Sequence, residues 1–73
     1  PISGMQYWLI GKTDDRATNI ARDDKGRIVS FNEDGWRIQY KKWINYKKRD
    51  IPQNIELTRG DVRLRLLVEH WKY

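Results

Sequence analysis

The side chains that could take part in catalysis or bind a metal are few and scattered along the chain. His70 is the single histidine among 73 residues and no cysteine is present, so the nitrogen and sulfur ligands of a zinc site are lacking. The acidic pairs Asp14 with Asp15 and Asp23 with Asp24 fall in loop or turn contexts, where Asp is favoured for local hydrogen bonding. No Walker, nucleophile-elbow or dinucleotide-binding glycine pattern occurs. We therefore expect no enzyme, no cofactor and no metal.

The stretch 41–49 carries a stronger chemical signal, because basic and aromatic residues are interleaved along it. Residues 36–73 hold ten basic and four acidic side chains, against five and six in residues 1–35. This asymmetry predicts an anionic partner for the second half of the chain. The stretch could be a solvated loop, a docking site for anionic lipid headgroups or an acidic protein, or a strip that binds nucleic acid. The docking candidates are Arg37, Lys41, Lys42, Lys47, Lys48 and Arg49.

Composition favours a small folded β-structure over a disordered segment. Four Trp, four Tyr and one Phe provide large apolar areas that disordered chains seldom carry. A chain of this length makes one domain or a piece of one. It shows neither the roughly 18-residue apolar run of a membrane span nor a signal peptide. The first residue is Pro rather than Met, so we expect processing or truncation of a longer chain.

A short helix is predicted near the amino terminus, over about residues 4–10. Ser3 and Gln6 have the spacing of a capping box, and Gly11 is a typical left-handed helix terminator. Met5, Trp8 and Leu9 lie on one face of this helix. So short a helix is unstable alone, so it must dock through that face, either as a permanent plug in the core or as a movable lid.

The rest of the chain has the pattern of an antiparallel meander. Turns between strands are predicted at Gly26, at Asp34 with Gly35, and at Gly60. Pro52 predicts a basic loop over residues 45–53. A break in alternation at Leu67 and Trp71 suggests a bulge or a strand end packed on both faces. We expect strands over about residues 17–22, 27–32, 36–43, 54–59 and 62–71.

Five segments, in this order and spacing, resemble the LolB family of outer-membrane lipoprotein receptors. They are residues 1–3 with 7–11 (PIS and YWLIG), 17–18 with 23–24 and 26–27 (AT, DD and GR), 34–40 (DGWRIQY), 51–58 (IPQNIELT) and 62–71 (VRLRLLVEHW). The resemblance covers nearly the whole chain. It implies a mainly β fold, in which a short N-terminal helix packs on a five-stranded meander that forms half of an unclosed LolA/LolB-like β-barrel.

The resemblance also implies a role without covalent chemistry. The family accepts acylated lipoproteins from a periplasmic carrier of the LolA type and delivers them to the outer membrane, which places the protein at the periplasmic face of that membrane. The family's acylated N-terminal Cys, its first strands and its protruding apolar loop are not in this sequence. The alternative is a small basic β-module that binds nucleic acid or an acidic protein.

In the light of this resemblance, the apolar face of the predicted sheet becomes a candidate wall for acyl chains. The same residues could equally form an ordinary core under the helix, and composition does not separate the two interpretations. We also expect the chain to self-associate, through its edge strands or by burying Phe31, Trp36, Leu64 and Leu66 between copies. The acyl-binding candidates are Trp8, Leu9, Phe31, Trp36, Ile38, Tyr40, Ile55, Leu57, Leu64, Leu66 and Val68.

Overall fold

Short connections join five consecutive antiparallel strands into one sheet, ordered β1-β2-β3-β4-β5. The computed structural model describes residues 4–68. The sheet is not closed, and the predicted mainly β architecture, with a short helix before a five-stranded meander, is confirmed. The elements are α1 (Met5–Trp8), β1 (Thr18–Arg22), β2 (Ile28–Glu33), β3 (Trp36–Tyr46), β4 (Arg49–Arg59) and β5 (Val62–Leu67).

The helix is shorter than predicted and ends as its sequence indicates. Its N-cap is Gly4, which has no side-chain cap bond; Ser3, the predicted cap, lies outside the described residues. At the other end, Gly11 has a φ of 74°. Its amide donates to the Trp8 carbonyl (3.0 Å) while the Lys12 amide donates to the Tyr7 carbonyl (2.9 Å), which is the Schellman arrangement.

The β2–β3 connection is a tight turn set by two residues. Asp34 and Gly35 both adopt positive φ, 54° and 79°, as the two-residue turns that suit the twist of antiparallel strands require. Glu33 is paired with Trp36 directly across this turn, and Phe31 with Ile38 further along. The turn thereby fixes which residues of β3 face the core.

The predicted loop over residues 45–53 is wrong, because β3 and β4 form one long hairpin. β3 continues to Tyr46, and β4 begins at Arg49. Lys47 and Lys48 make the two-residue turn between them, with φ of 50° and 66°. We call residues 44–51 the hairpin end.

Pro52 fits in β4 because it lies beyond the residues of β4 that pair with β5 within the described part of the chain. It is paired with Trp43 of β3, whereas the last pair between β4 and β5 joins Asn54 to Leu67. One further bond runs from the Val68 amide to the Gln53 carbonyl (2.8 Å). Among residues 4–68, the missing N–H of Pro52 therefore interrupts no pair between β4 and β5.

One face of the sheet forms the core. Phe31, Ile38, Leu57 and Leu64 line up across four strands, since each is paired with the next. Tyr40, Ile55 and Leu66 form a second such row, as the period-2 alternation predicts. The buried apolar residues are Trp8, Ile28, Phe31, Trp36, Ile38, Tyr40, Ile55 and Leu57.

No bulge occurs in β5 up to Leu67, and Trp71, the other residue on which that prediction rested, lies outside the described residues. Pairing runs without a shift from Val62 to Leu67, and Leu67 simply lies on the outer face, where it is 67% exposed. The register shifts fall instead in the β1–β2 pairing and between Tyr40 and Trp43 of β3. Residues 69–71, which the prediction placed in the last strand, lie outside the described residues.

Candidate functional site

Trp8 fixes α1 to the sheet. Its side chain is fully buried and meets the Phe31 ring edge-on, with 6.2 Å between ring centroids. Its main-chain carbonyl accepts a hydrogen bond from the Tyr40 hydroxyl at 2.6 Å. The Tyr40 ring in turn stacks against Trp43, with centroids 5.2 Å apart. In this structure α1 is thus a plug in the core rather than an open lid.

The structure divides the predicted apolar face into a closed part and an open part. Trp36 and Tyr40 are nearly covered, and the deepest residues are fully buried: Trp8, Phe31, Ile38, Ile55 and Leu57. Four other candidates are partly buried and pack around this cluster: Leu9, Leu64, Leu66 and Val68. While α1 stays docked, only this second group among the acyl-binding candidates offers apolar surface to a ligand.

Glu33 is a buried carboxylate that the sequence-based candidates omitted. It lies at 2% exposure beside Gly4, where the side chain of any larger residue would strike its Oε2. Its partner is Arg16, whose Nη2 lies 3.4 Å from Oε2. Because Glu33 is two residues from the inward-facing Phe31, strand alternation could have placed it on the core face.

Burial raises the pKa of Glu33, because a carboxylate is less well solvated there than in water. The Trp8 indole and the Arg16 guanidinium oppose this rise in the pKa, and nearby Asp14 adds to it. Within residues 4–68, Oε1 of Glu33 and the indole nitrogen of Trp8 have no hydrogen-bond partner. The contact between α1 and Glu33 therefore leaves two buried polar atoms without a hydrogen bond among these residues.

Asp14, which is partly buried, and the exposed Arg16 form a pair beside this buried carboxylate. The Arg16 amide donates to Asp14 Oδ1 at 2.8 Å, and its Nη2 lies 3.1 Å from Oδ2. The hydrogen bond from the Arg16 main-chain amide lowers the pKa of Asp14 most, and the bond from the Arg16 guanidinium lowers it further. Arg16 is thus shared between a partly buried and a buried carboxylate, which links the loop after α1 to β2.

The basic candidates do not form a single patch. Lys47, Lys48 and Arg49 cluster at the turn of the hairpin end. Lys41 and Lys42 lie exposed at the irregular part of β3. Arg37 is on the outer sheet face, where its Nη1 approaches the Asn32 side chain at 3.4 Å.

Two adjoining depressions flank the hairpin end. The larger, of about 440 Å³, lies between Leu9, Ile10 and Lys12 after α1 and residues 49–52 of β4. The smaller, of about 340 Å³, is bordered by Tyr46, Lys47, Arg49 and Ile51. Arg49 and Ile51 line both depressions, so a cation and an apolar side chain stand at their common wall.

Trp43 is engaged in packing, although it belongs to the basic and aromatic stretch. Its indole N–H donates to the Ile28 carbonyl at 3.0 Å. Gly11 lies so close to its ring that a Cβ there would overlap it. Stacked on Tyr40 as well, this ring does not offer the open aromatic platform on which nucleic-acid bases stack.

Neither a metal cluster nor a membrane-spanning helix is found in the part of the chain that the structure describes. Across residues 4–68, no three His, Cys, Asp or Glu residues are placed to hold a metal ion. No helix there is both long and apolar enough to cross a bilayer. His70 lies outside these residues.

Comparison with known proteins places this sheet in a family. The family model described as "Outer membrane lipoprotein LolB" matches residues 1–71. The chain belongs to the LolB family. The match spans α1, all five strands and both parts of the apolar face, so the resemblance noted in the sequence is confirmed.

Three curated LolB relatives are 29–34% identical to this chain over the aligned residues. The protein named "Outer-membrane lipoprotein LolB" from Nitrosococcus oceani is 34% identical over 76 residues, covering 99% of this chain and 37% of that protein. Its namesake from Erwinia tasmaniensis is 33% identical over 75 residues, covering 97% and 36%, and that from Azoarcus sp. is 29% identical over 72, covering 99% and 37%. The chain thus spans little more than a third of the length of these LolB relatives.

Proposed function

We propose that this chain forms part of an outer-membrane lipoprotein receptor and that the inward face of its sheet holds acyl chains. The main support for the proposal is a strip of partly buried apolar residues at one edge of the core. Leu64 and Leu66 of β5, with Val68 and Leu9, pack against the buried cluster but remain only partly covered. An acyl chain laid along this strip would extend the core without rearranging it.

The chemistry of such a site requires only apolar area. Each methylene buried against these side chains contributes about 0.8 kcal/mol, and no directional contact is needed. The deeper candidates, such as Phe31 and Ile38, would join the site only if a ligand displaced α1. That helix has four residues, and its hold on the sheet rests largely on Trp8, so ligand and helix can compete for the same surface.

The proposed partners follow from the family. They are acylated lipoproteins, a LolA-type carrier that hands them over, and the periplasmic face of the outer membrane. Relatives that are named outer-membrane lipoproteins support this location. The parent protein would be lipid-anchored through a Cys that this sequence does not contain.

Binding of a fluorescent fatty acid tests the proposal. We expect the affinity to survive a rise in salt to about 1 M, because screening acts on charges and not on apolar contacts. Leu66→Asn should weaken binding, whereas Leu67→Asn, on the opposite face of the same strand, should not. Equal loss in both variants, or no binding at all, would refute the acyl-binding strip.

We further propose that copies of this chain associate through the sheet's edge strands, β1 and β5, whose outer backbone groups can pair with another strand. Phe31 and Trp36, which we expected to pack between copies, are already buried, so that part of the expectation is wrong. Light scattering at micromolar concentration tests association. A monomer of 8.9 kDa at all concentrations would exclude it.

A further inference from the structure

The hairpin end concentrates positive charge at one extremity of the sheet. Residues 44–51 contain three basic side chains and one acidic residue, Asp50. The carboxylate of Asp50 is held by the Asn45 side-chain amide at 3.2 Å. Lys47, Lys48 and Arg49 are all exposed. The cations at the turn thus face solvent, while the only acid among these residues is bonded across the hairpin.

Apolar surface lies directly beside these cations. Ile10, just after α1, is 48% exposed and borders the larger depression together with Ile51. Ile51 also borders the smaller depression, next to Lys47 and Arg49. A ligand seated across both depressions would meet guanidinium and ammonium groups at the rim and branched aliphatic side chains between them.

We propose that the hairpin end and the adjoining end of α1 dock on the surface of an anionic phospholipid bilayer. Lys47, Lys48 and Arg49 contact headgroup phosphates, while Ile10 and Ile51 reach the boundary with the acyl chains. This combination of a basic rim with exposed apolar side chains is typical of interfacial binding. The inference goes beyond the proposed function, because it requires no bound lipoprotein.

The same surface is poorly suited to nucleic acid, the other polyanion that a basic patch could bind. Single-stranded nucleic acids are held by cations together with aromatic faces on which bases stack. Trp43 is packed between Gly11 and Tyr40, and the Tyr46 ring already has the Lys47 ammonium 5.4 Å from its centroid. Apart from Tyr46, the apolar side chains that line the two depressions beside the cations are aliphatic, and these match the acyl boundary of a membrane.

Flotation of the 73-residue chain with vesicles of phosphatidylcholine, alone or with phosphatidylglycerol, tests the inference. The variant Lys47→Asn/Lys48→Asn/Arg49→Gln removes three charges and places Asn, which tolerates positive φ, at the turn. Since each basic residue near an anionic surface is worth about five-fold in partitioning, we expect a loss of roughly 100-fold. The matched control Arg37→Gln/Arg63→Gln/Arg65→Gln removes three charges from the outer sheet face and should retain most binding.

A second pair of variants tests the apolar contact. Ile10→Ser should weaken binding to anionic vesicles by several-fold. Leu67→Ser also replaces an exposed aliphatic residue, but on the outer face of the sheet, and should not weaken binding. Equal losses in the two triple variants, or tighter binding to a single-stranded oligonucleotide than to anionic vesicles at the same salt, would overturn the proposal. The fatty-acid assay reports separately on the acyl-binding strip, so either idea can fail while the other stands.

Discussion

The Tyr40 hydroxyl donates a hydrogen bond of 2.6 Å to the main-chain carbonyl of Trp8, a residue 32 positions earlier in the sequence. This bond ties α1 to the middle of β3. Burial raises the pKa of Tyr40 far above its usual range, so the phenol keeps its proton and remains a donor. Because the carbonyl is buried as well, losing the bond leaves a polar atom unpaired in the core.

Replacing Tyr40 by Phe tests the energetic weight of this bond. We expect Tyr40→Phe to lower the free energy of unfolding by about 1–3 kcal/mol, the cost of leaving a buried acceptor unsatisfied. Urea denaturation followed by circular dichroism measures it. The control Tyr7→Phe removes a hydroxyl from an exposed residue of α1 and should change stability little. A Tyr40→Phe protein as stable as the parent would show that α1 is not held in this way.

Truncating Trp8 tests whether α1 is a plug. Trp8→Ala removes a fully buried indole, and such core truncations cost about 3–5 kcal/mol. That is close to the whole stability of a domain this small, so we expect loss of the cooperative thermal transition. Tyr7→Ala in the same short helix is the control. A melting temperature unchanged by Trp8→Ala would mean that the helix is detached in solution.

Local patterns predicted the parts of the fold in which neighbouring residues decide the structure. Alternation from Trp36 to Tyr40 gave the core face of β3, and Asp34 with Gly35 gave the turn before it. The hairpin end escaped prediction for a physical reason. Lys47 and Lys48 adopt positive φ without the Asn or Gly that normally signals such a turn. Pro52 indicates a loop as long as its position relative to β5 is unknown.

The site was harder to predict than the fold, because burial depends on contacts between distant segments. The inward direction of Phe31 or Ile38 follows from alternation alone. Their complete burial depends on how far α1 covers them, which no periodicity encodes. The burial and pairing of Glu33 depend on Gly4 and Arg16. These residues approach Glu33 from the start of the helix and from the loop that follows the helix. Sequence patterns therefore marked a set of inward residues without separating the closed core from its open edge.

Gly11 provides a test of the packing between the end of α1 and the hairpin. An added Cβ would overlap the Trp43 ring and lie 3.2 Å from Pro52 Cγ, at a φ of 74°. Gly26 has a similar φ of 80° but open space around it. We expect Gly26→Ala to cost about 1–2 kcal/mol from backbone strain and Gly11→Ala to cost clearly more, as measured by urea midpoints. Equal costs would show that the contact with Trp43 is loose.

The pH dependence of stability provides the last test, and it concerns Glu33. Its pKa is raised from an ordinary value of 4.5 by burial, so between the unfolded and folded pKa values the folded protein binds more protons than the unfolded chain. The stability linked to protonated Glu33 is then fully present below the unfolded pKa and is lost as pH rises through the folded pKa. Asp14 and Asp23 act in the opposite direction. Their pKa values are lowered from 3.8, so their contribution is lost as pH falls.

Comparison with Glu33→Gln separates these effects, since Asp14 and Asp23 remain in both proteins. We expect the parent to lose stability relative to Glu33→Gln as pH rises from about 4 to 7, measured as the difference between their urea midpoints. Arg16→Gln should extend that loss to higher pH, because the Arg16 guanidinium opposes the rise in the Glu33 pKa. A difference between parent and Glu33→Gln that stays constant with pH would mean that Glu33 ionises as freely in the folded protein as in the unfolded chain. Its carboxylate would then be reached by water, and α1 would not seal this end of the core.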